Sequence, residues 1–397
     1  DDEEWIEVEL LSGNDYNKEY YYGIREVIYM KRWIKYTSFL FIVTILFALQ
    51  TLDVNAQTIV PASGDQSGKT DYKNIMGALD NDGDVVLEDG ATYYLKATLW
   101  LENNSSITAT GATIISKSGA FRNRPSKGNY QSVKNVSVEG GTWKYIDKDG
   151  FKKSFIQFSH GQNITLKNLT VYSNYQGHGI ELVACKNVLV DNCVLKGVGK
   201  TKKNSVEEQL QIDIATPRTA PTVGQYSKKL VKGQTCQNIT VQNCVITGSR
   251  GICANYASKE KQFQKYFHKN IVLKNNTITG MTGEAVALFN VIGATIEDNT
   301  IVTKSSRTSS AYSVGLHIAM FGKAPSSMKK AVYTVRNNMI KGGRQGFYVF
   351  SHSSSKFGKV VAEKNMCYAK KGKKNAIKVT PYCVKKKKLS KNKSYKW

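Results

Sequence analysis

The sequence has no pair of cysteines with the C-x-x-C spacing of a structural zinc site, so we expect no metal of that kind. Its seven cysteines are an odd number. Cys185 and Cys236 each stand two residues before an asparagine, and Cys193 and Cys244 each follow one directly. Because these positions match one another, we expect stacked thiols in a repetitive core rather than disulfides.

Acidic side chains are scarce beyond the first residues. Residues 1–29 hold nine acidic and two basic side chains, although the whole chain has a formal charge of +25. Residues 57–397 hold 51 basic against 21 acidic side chains, a formal charge of +30. Such an excess suits polyanions, among them acidic glycans and wall polymers, and it equally suits a solvated surface.

The apolar run at residues 38–49 is shorter than the roughly 20 residues of a membrane-spanning helix. It follows the positive start Met30-Lys31-Arg32 and precedes small residues ending at Ala56, which together predict a secretory signal at 30–56. A membrane anchor is the alternative. We expect Met30 to be the true start, residues 1–29 to be an upstream or added segment, and no stable membrane insertion after signal cleavage.

One nine-residue phrase recurs after about residue 130, with starts 23 to 51 residues apart. Such spacing predicts one structural coil of about the shortest length, enlarged by insertions. The clear copies lie at 163–171, 187–195, 238–246 and 270–278, and the weaker ones at 293–301, 332–340 and 359–367.

Each copy alternates apolar and polar residues, continues through an asparagine and ends in a second short apolar run, which predicts strand, bend and strand. Asparagine tolerates a left-handed backbone, and stacked asparagines can hydrogen-bond from coil to coil. A repeat that cannot bury its apolar face alone must stack on its neighbours, so we predict an all-β parallel β-helix. The bend positions are Asn168, Asn192, Asn243, Asn275 and Asn337, with Asp298 in one copy.

On these residues, the span from about 57 to 383 resembles the right-handed β-helix proteins of the pectin-lyase-like superfamily. Residues 71–79 resemble their N-terminal capping helix, and residues 83–95 resemble their first coil. The resemblance implies a single-stranded right-handed parallel β-helix with such a cap. It does not fix an activity, because this architecture serves hydrolases, lyases and non-catalytic surface proteins. We expect residues 384–397 to leave the last coil as a flexible basic tail.

A second strand lies between successive copies of the phrase and can be aligned on one inward apolar residue. These anchors are Ile180, Leu210, Ile252, Val286, Leu316, Phe347 and Ile377. Outward positions one or three residues later include Glu181, Gln211, Asp213, Asn255, His317 and Tyr348. Two residues before the anchors stand His178, Glu208, Arg250 and Glu284.

Long insertions flank this strand. They occupy 196–207 and 302–312 before it, and 214–235, 256–268 and 321–331 after it. Loops on both sides of one sheet build the walls of a groove, and binding groups commonly lie on such loops above a rigid scaffold. We therefore predict a groove with a polar floor near residue 210.

Glu181 and Asp213 are one coil and two residues apart, which places their backbones about 8 Å from each other. Inverting glycosidases separate their two carboxyls by roughly 6.5–9.5 Å. This pair favours a glycoside hydrolase. Glu208 and Glu284 are a second catalytic candidate, or a charge ladder with Arg250 between them.

Two histidines are further candidates. His178 lies in a Gly-His-Gly tripeptide that is similar to that of polygalacturonases, but the paired-Asp motif that precedes it in that family is absent. It is therefore taken as a substrate-binding or solvated residue. His317 is a candidate proton carrier or sugar ligand.

Two further functions stay open. A lyase acting on an acidic uronate glycan would use cations such as Arg250, Arg218 and Lys228. We expect no cofactor, with Ca²⁺ considered only for the lyase. A non-catalytic cell-surface β-helix would bind glycans on rings such as Tyr256 and Tyr348. In all cases we expect a secreted or surface-associated monomer with a polysaccharide partner, and no nucleic-acid partner because no recognition helix is present.

Overall fold

The computed structural model describes residues 58–397, so the segments predicted at 1–29 and 30–56 lie outside the described residues. The chain winds through a right-handed parallel β-helix in which ten coils each contribute one strand to each of three parallel sheets, with further strands at both ends. Within residues 58–397, no helix combines the length and the apolarity needed to span a bilayer.

Sheet 1 has twelve strands. They are β1 (Thr58–Val60), β2 (Asp84–Leu87), β5 (Ser106–Thr108), β8 (Val133–Glu139), β11 (Gly161–Lys167), β14 (Lys186–Asp191), β17 (Gln237–Gln242), β20 (His268–Lys274), β23 (Val291–Glu297), β26 (Val332–Arg336), β29 (Phe357–Glu363) and β32 (Val384–Ser390).

Sheet 2 has eleven strands. They are β3 (Thr92–Leu95), β6 (Thr113–Ser116), β9 (Thr142–Tyr145), β12 (Thr170–Asn174), β15 (Val194–Val198), β18 (Val245–Gly248), β21 (Thr277–Gly280), β24 (Thr300–Thr303), β27 (Met339–Gly342), β30 (Met366–Ala369) and β33 (Lys393–Lys396).

Sheet 3 has ten strands and contains the strands predicted to form the polar groove floor. They are β4 (Leu99–Trp100), β7 (Phe121–Arg122), β10 (Ser154–Ser159), β13 (His178–Val183), β16 (Glu208–Asp213), β19 (Arg250–Ala254), β22 (Val286–Phe289), β25 (Val314–Met320), β28 (Gln345–Ser351) and β31 (Ile377–Val379). The helices are α1 (Lys69–Asp82) and α2 (Pro221–Gly224), with 3₁₀ turns at Lys228–Leu230, Lys261–Phe263, Ser326–Lys330, Lys373–Asn375 and Pro381–Cys383.

The predicted alignment of the second strand is confirmed. All seven anchors from Ile180 to Ile377 lie in one register across sheet 3. Those from Ile180 to Phe347 are fully buried. The alternation of inward and outward side chains along each strand fixes this register, because a shift of one residue would turn every anchor to the solvent face.

The asparagine bends join sheet 1 to sheet 2 in each repeat copy. The predicted bend residues have positive φ, from 51° at Asn192 to 60° at Asp298. Asn192 Nδ2 donates to Asn168 Oδ1 at 2.7 Å, and Asn275 Nδ2 donates to Asn243 Oδ1 at 2.9 Å, so the side chains link successive coils. A second, buried ladder was not predicted: it consists of Asn276, Asn299, Asn338, Asn365 and Asn392.

The cysteines are free and buried, as predicted. The Cys185 amide lies 3.2 Å from the Cys236 sulfur, and the Cys193 amide lies 3.3 Å from the Cys244 sulfur, so each pair stacks along the coils. Cys244 N in turn donates to Asn276 Oδ1. The thiols of Cys193 and Cys244 therefore begin the row that the buried asparagine ladder continues.

Helix α1 caps the N-terminal end of the core, as the resemblance implies. Ile75 and Leu79 are buried on its inner side. The buried Asp71 carboxylate accepts hydrogen bonds from the amides of Ser63 and Tyr94, both at 2.8 Å, which fixes the helix to the first coil. Since α1 covers apolar side chains that no preceding coil could cover, it serves as the end cap that a solenoid needs.

The flexible tail expected at 384–397 is wrong. Residues 384–390 form β32, which pairs in register with β29, and residues 393–396 form β33, which pairs with β30. Trp397 Nε1 also donates to Gly342 O at 2.8 Å. Consecutive lysines can occupy these strands because no further coil within residues 58–397 covers them, so their side chains are exposed.

Candidate ligand-binding groove

One outward register position runs through all ten strands of sheet 3, and we call it the outward row. Its N-terminal members Trp100, Arg122 and Gln157 precede the clear repeat copies and were not predicted. A register carried backwards from Glu181 would have found them. The full row is Trp100, Arg122, Gln157, Glu181, Gln211, Cys253, Ala287, His317, Tyr348 and Lys378.

The centre of the outward row is polar. Glu181 is 6% exposed, and its Oε2 accepts hydrogen bonds from the Ser154 hydroxyl and from Gln157 Nε2 at 2.6 Å. Gln157 Nε2 also lies 3.3 Å from the Thr222 hydroxyl, on the connection after β16. Gln211 is half-buried, and its Oε1 has no hydrogen-bond partner among the described residues.

Asp213 points outward from sheet 3 but is fully buried, which differs from the open groove floor that we predicted. Ala220, Val223, Leu230 and Val231 of the following connection pack on Val183, the register neighbour of Asp213. These apolar residues form a small second core, and the connection covers the carboxyl instead of forming only a wall. The apolar residues inside the 214–235 insertion were the sequence feature from which the burial of Asp213 could have been predicted.

Burial, and then the charge of Glu181, raises the pKa of Asp213 well above its ordinary range. Asn255 Nδ2 donates to Asp213 Oδ1 at 3.0 Å, while Asp213 Oδ2 has no partner within residues 58–397. Asn255 Oδ1 accepts from the Cys253 thiol at 3.1 Å. The predicted ligand Asn255 is therefore held by neighbouring side chains.

A buried ion network is formed by Glu208, Arg250 and Glu284. Of the two interpretations given for these residues, it corresponds to the charge ladder and not to the catalytic pair. Arg250 Nη1 lies 2.7 Å from Glu208 Oε1, and Arg250 Nη2 lies 2.9 Å from Glu284 Oε2. Burial alone would raise the pKa of Glu284, but the Arg250 charge and then His317 lower it to about 2. Arg250 already faces two carboxylates, so its charge is balanced without a bound uronate.

His317 connects this network to a group of rings. Its Nδ1 lies 3.3 Å from Glu284 Oε1, and its ring stacks on Tyr348 with centroids 5.2 Å apart. Tyr256 stacks on Phe321 at 3.7 Å, and Phe321 stacks on His352 at 4.4 Å. We call the rings around His317 the aromatic cluster: Tyr256, Phe289, Phe321, Tyr348, Phe350 and His352.

His178, Glu207 and Glu208 offer three potential metal ligands within 4.8 Å of one another, beside the ion network. His178 lies 3.6 Å from each of the two carboxylates. Calcium takes six to eight oxygen ligands, whereas this group offers an imidazole nitrogen, and Glu208 Oε1 is already bound to Arg250. These residues do not fit the Ca²⁺ ion considered for a lyase.

The remaining predicted cations, Arg218 and Lys228, are exposed on the 214–235 connection. Within residues 58–397, neither side chain forms a hydrogen bond or an ion pair with the carboxylates of sheet 3. The structure thus brings Asp213 close to Glu181 and Gln211, which lie at the centre of the outward row.

Residues 155–380 match the family described as "Right handed beta helix region". A curated relative, plasmin and fibronectin-binding protein A of Streptococcus pneumoniae, is 26% identical over 174 residues, which are 38% of this chain and 24% of that protein. The match thus spans about a quarter of the relative's length.

Two solved structures illustrate the fold. The surface adhesin PfbA of Streptococcus pneumoniae superposes with a TM-score of 0.54 at 19% identity, covering 81% of this chain and 87% of the other. A polygalacturonase from Erwinia carotovora ssp. carotovora superposes with a TM-score of 0.45 at 14% identity, covering 83% of this chain and 94% of the other. At these identities the likeness concerns the fold alone.

Proposed function

Since the chain belongs to the right-handed β-helix family and has the fold of the pectin-lyase-like superfamily, we propose that it is a secreted or surface-associated protein that binds a polysaccharide along the outward row of sheet 3. The row is rigid, because its ten strands are hydrogen-bonded to one another in a single sheet. Ten coils at about 4.8 Å give a surface long enough for several sugar rings.

The observation that carries this proposal is the burial of the four predicted catalytic carboxylates. Glu181, Glu208, Asp213 and Glu284 are only 6%, 5%, 0% and 1% exposed. A general acid or base must come within hydrogen-bond reach of the sugar, whereas these groups are held by protein side chains or covered. Binding requires no such approach.

Accessible rings lie towards both ends of the row. Trp100 is half-buried at the N-terminal end, with the Arg124 guanidinium 4.8 Å from its ring centroid. In the aromatic cluster, Tyr256, Phe321 and Phe350 are half-buried and His352 is exposed. Apolar surface beside polar groups that fix orientation is typical of a ligand site. Rings of this kind offer packing area to the C–H faces of sugars.

The formal charge of +30 over residues 57–397 favours an acidic polysaccharide over a neutral one. The name of the pneumococcal relative describes binding to plasmin and fibronectin, and the related solved structure is a surface adhesin. Both descriptions agree with a binding role at a cell surface.

The test is a panel of neutral and acidic polysaccharides, with binding and reaction products measured on the same samples. We expect retention of at least one acidic polysaccharide, weakened in Trp100→Leu, with neither new reducing ends nor unsaturated products. No retention of any member would refute the binding function, and turnover would replace it with an enzymatic one.

Hydrolysis is the second candidate, and one observation favours it. Burial and the adjacent Glu181 charge raise the pKa of Asp213, so this carboxyl keeps its proton more readily than an ordinary aspartate, a property that suits the acid role in a glycoside hydrolase. The connection at 214–235 would have to uncover Asp213. If the panel yields reducing ends, Asp213→Asn and Glu181→Gln should each lower the rate at least about 100-fold, whereas Lys69→Gln, on the distant cap helix, should not.

A further inference from the structure

The C-terminal end of the β-helix carries an unusual concentration of one charge. Residues 364–397 contain 13 lysines and no arginine, aspartate or glutamate. Every one of these lysines is exposed. Only Lys388 forms an ion pair within the described residues, with Glu363 at 2.7 Å. We call these 13 exposed lysines the lysine end.

The lysine end is built on regular structure. Lys386 pairs in register with Lys359, and Lys387 pairs with Val360, so β32 presents its lysines on a strand fixed to the body of the protein. Lys393 pairs with Met366 on sheet 2. A polymer that binds here would not have to order the protein chain first, which removes one of the usual entropic costs of binding.

Protection of sheet edges does not explain this concentration. Lysines on an edge strand discourage edge-to-edge pairing. Lys370, Lys371, Lys373 and Lys374 lie in the turn between β30 and β31, where there is no open edge to protect. Unmixed positive charge repels itself in the folded protein, so an anionic partner would relieve that repulsion.

The outward row leads directly into the lysine end. Lys378 belongs to both, and its ammonium group lies 5.8 Å from the ring centroid of Tyr348. Because the lysines lie on β31 of sheet 3, β32 of sheet 1, β33 of sheet 2 and nearby turns, they face different directions. A flat membrane could contact only one of these sides, whereas a flexible linear chain could follow the groove and bend around the end.

We propose that the lysine end is a second binding site, which holds the continuation of an acidic polysaccharide whose other residues lie on the outward row. This inference rests on the proposed binding function. It further specifies that the ligand is negatively charged and that long chains gain affinity at the lysine end. The partner is a carboxylate-bearing glycan long enough to reach from Tyr348 past Lys378 to β32.

The test compares polygalacturonate chains with oligomers too short to span both regions, by titration calorimetry at several salt concentrations. In Lys385→Gln/Lys386→Gln/Lys387→Gln we expect affinity for the long chains to fall at least about tenfold and to depend less on salt, because fewer counterions are released. Affinity for the short oligomers should stay unchanged. The matched control is Lys69→Gln/Lys73→Gln/Lys274→Gln, which removes the same charge from exposed positions elsewhere.

Four outcomes would overturn the proposal. The triple variant and its control could lose affinity equally, which would reduce the effect to net charge. The charge-conserving Lys385→Arg/Lys386→Arg/Lys387→Arg variant could lose as much as the glutamine variant, which would indicate a folding defect. Polyphosphate could bind while polygalacturonate does not, which would make the ligand a phosphate polymer. Binding that depends on Tyr348 but not on these lysines would reject this inference and leave the proposed function standing.

Discussion

Two neighbouring sets of side chains on sheet 3 use their polar groups in different ways. In the ion network, Arg250 contacts both Glu208 and Glu284, and all three are buried. In the outward row, Gln211 Oε1 and His317 Nε2 have no hydrogen-bond partner within residues 58–397, and the Trp100 ring stays partly accessible. The more highly charged set therefore belongs to the scaffold, and the less charged row is the better ligand surface.

The largest expected effect concerns the ion network and its contribution to stability. Arg250→Met leaves two buried carboxylates without their cation, so the free energy of unfolding should fall by about 3–5 kcal/mol in urea titrations. The control is Arg336→Met, whose guanidinium is 43% exposed beside Glu297 and Glu363 and should change stability by less than about 1 kcal/mol. Equal losses in both variants would contradict the distinction.

A second prediction uses pH to separate the two sets of carboxyls. The pKa of Glu284 is lowered to about 2, so its stabilising charge is present above its ordinary pKa and is lost as the pH falls towards 2. That contribution is about 3 kcal/mol from the size of the shift. The pKa of Asp213 is raised, so its stabilising proton is lost as the pH rises through the raised value.

Stability measured from pH 3 to pH 9 should therefore respond oppositely to the two amide substitutions. Asp213→Asn should gain stability relative to the parent as the pH rises, whereas Glu284→Gln should lose stability relative to the parent over the same change. Parallel curves for the two variants would mean that the carboxyls share one environment.

The smallest expected effect concerns the thiol between the two sets. Cys253 is fully buried, lies 3.3 Å from Arg250 Nη1 and donates to Asn255. Burial raises its pKa even though Arg250 acts in the opposite direction. Cys253→Ala should change unfolding free energy by about 1 kcal/mol and leave glycan affinity unchanged. A large loss of affinity would place this thiol at the ligand.

The sequence predicts the scaffold better than the site, for physical reasons. Register follows from alternation and from the bend asparagines, which are local properties, so the anchors from Ile180 to Ile377 align as predicted. Burial of Asp213 depends on apolar contacts that the 214–235 connection makes after folding, and a strand pattern does not contain them. Trp100 and Arg122 were missed because the coils before residue 130 lack the repeated phrase.

The measurement that tests the central claim most directly is the affinity of Trp100→Leu and Tyr348→Leu for the acidic polysaccharide that the parent binds best. Each substitution removes a ring from one end of the outward row and keeps an apolar side chain, so affinity should fall about five- to tenfold. Tyr172→Leu, a half-buried ring position on sheet 2, should leave affinity unchanged. Undiminished binding by both outward-row variants, or an equal loss in Tyr172→Leu, would contradict the assignment of this row as the ligand surface.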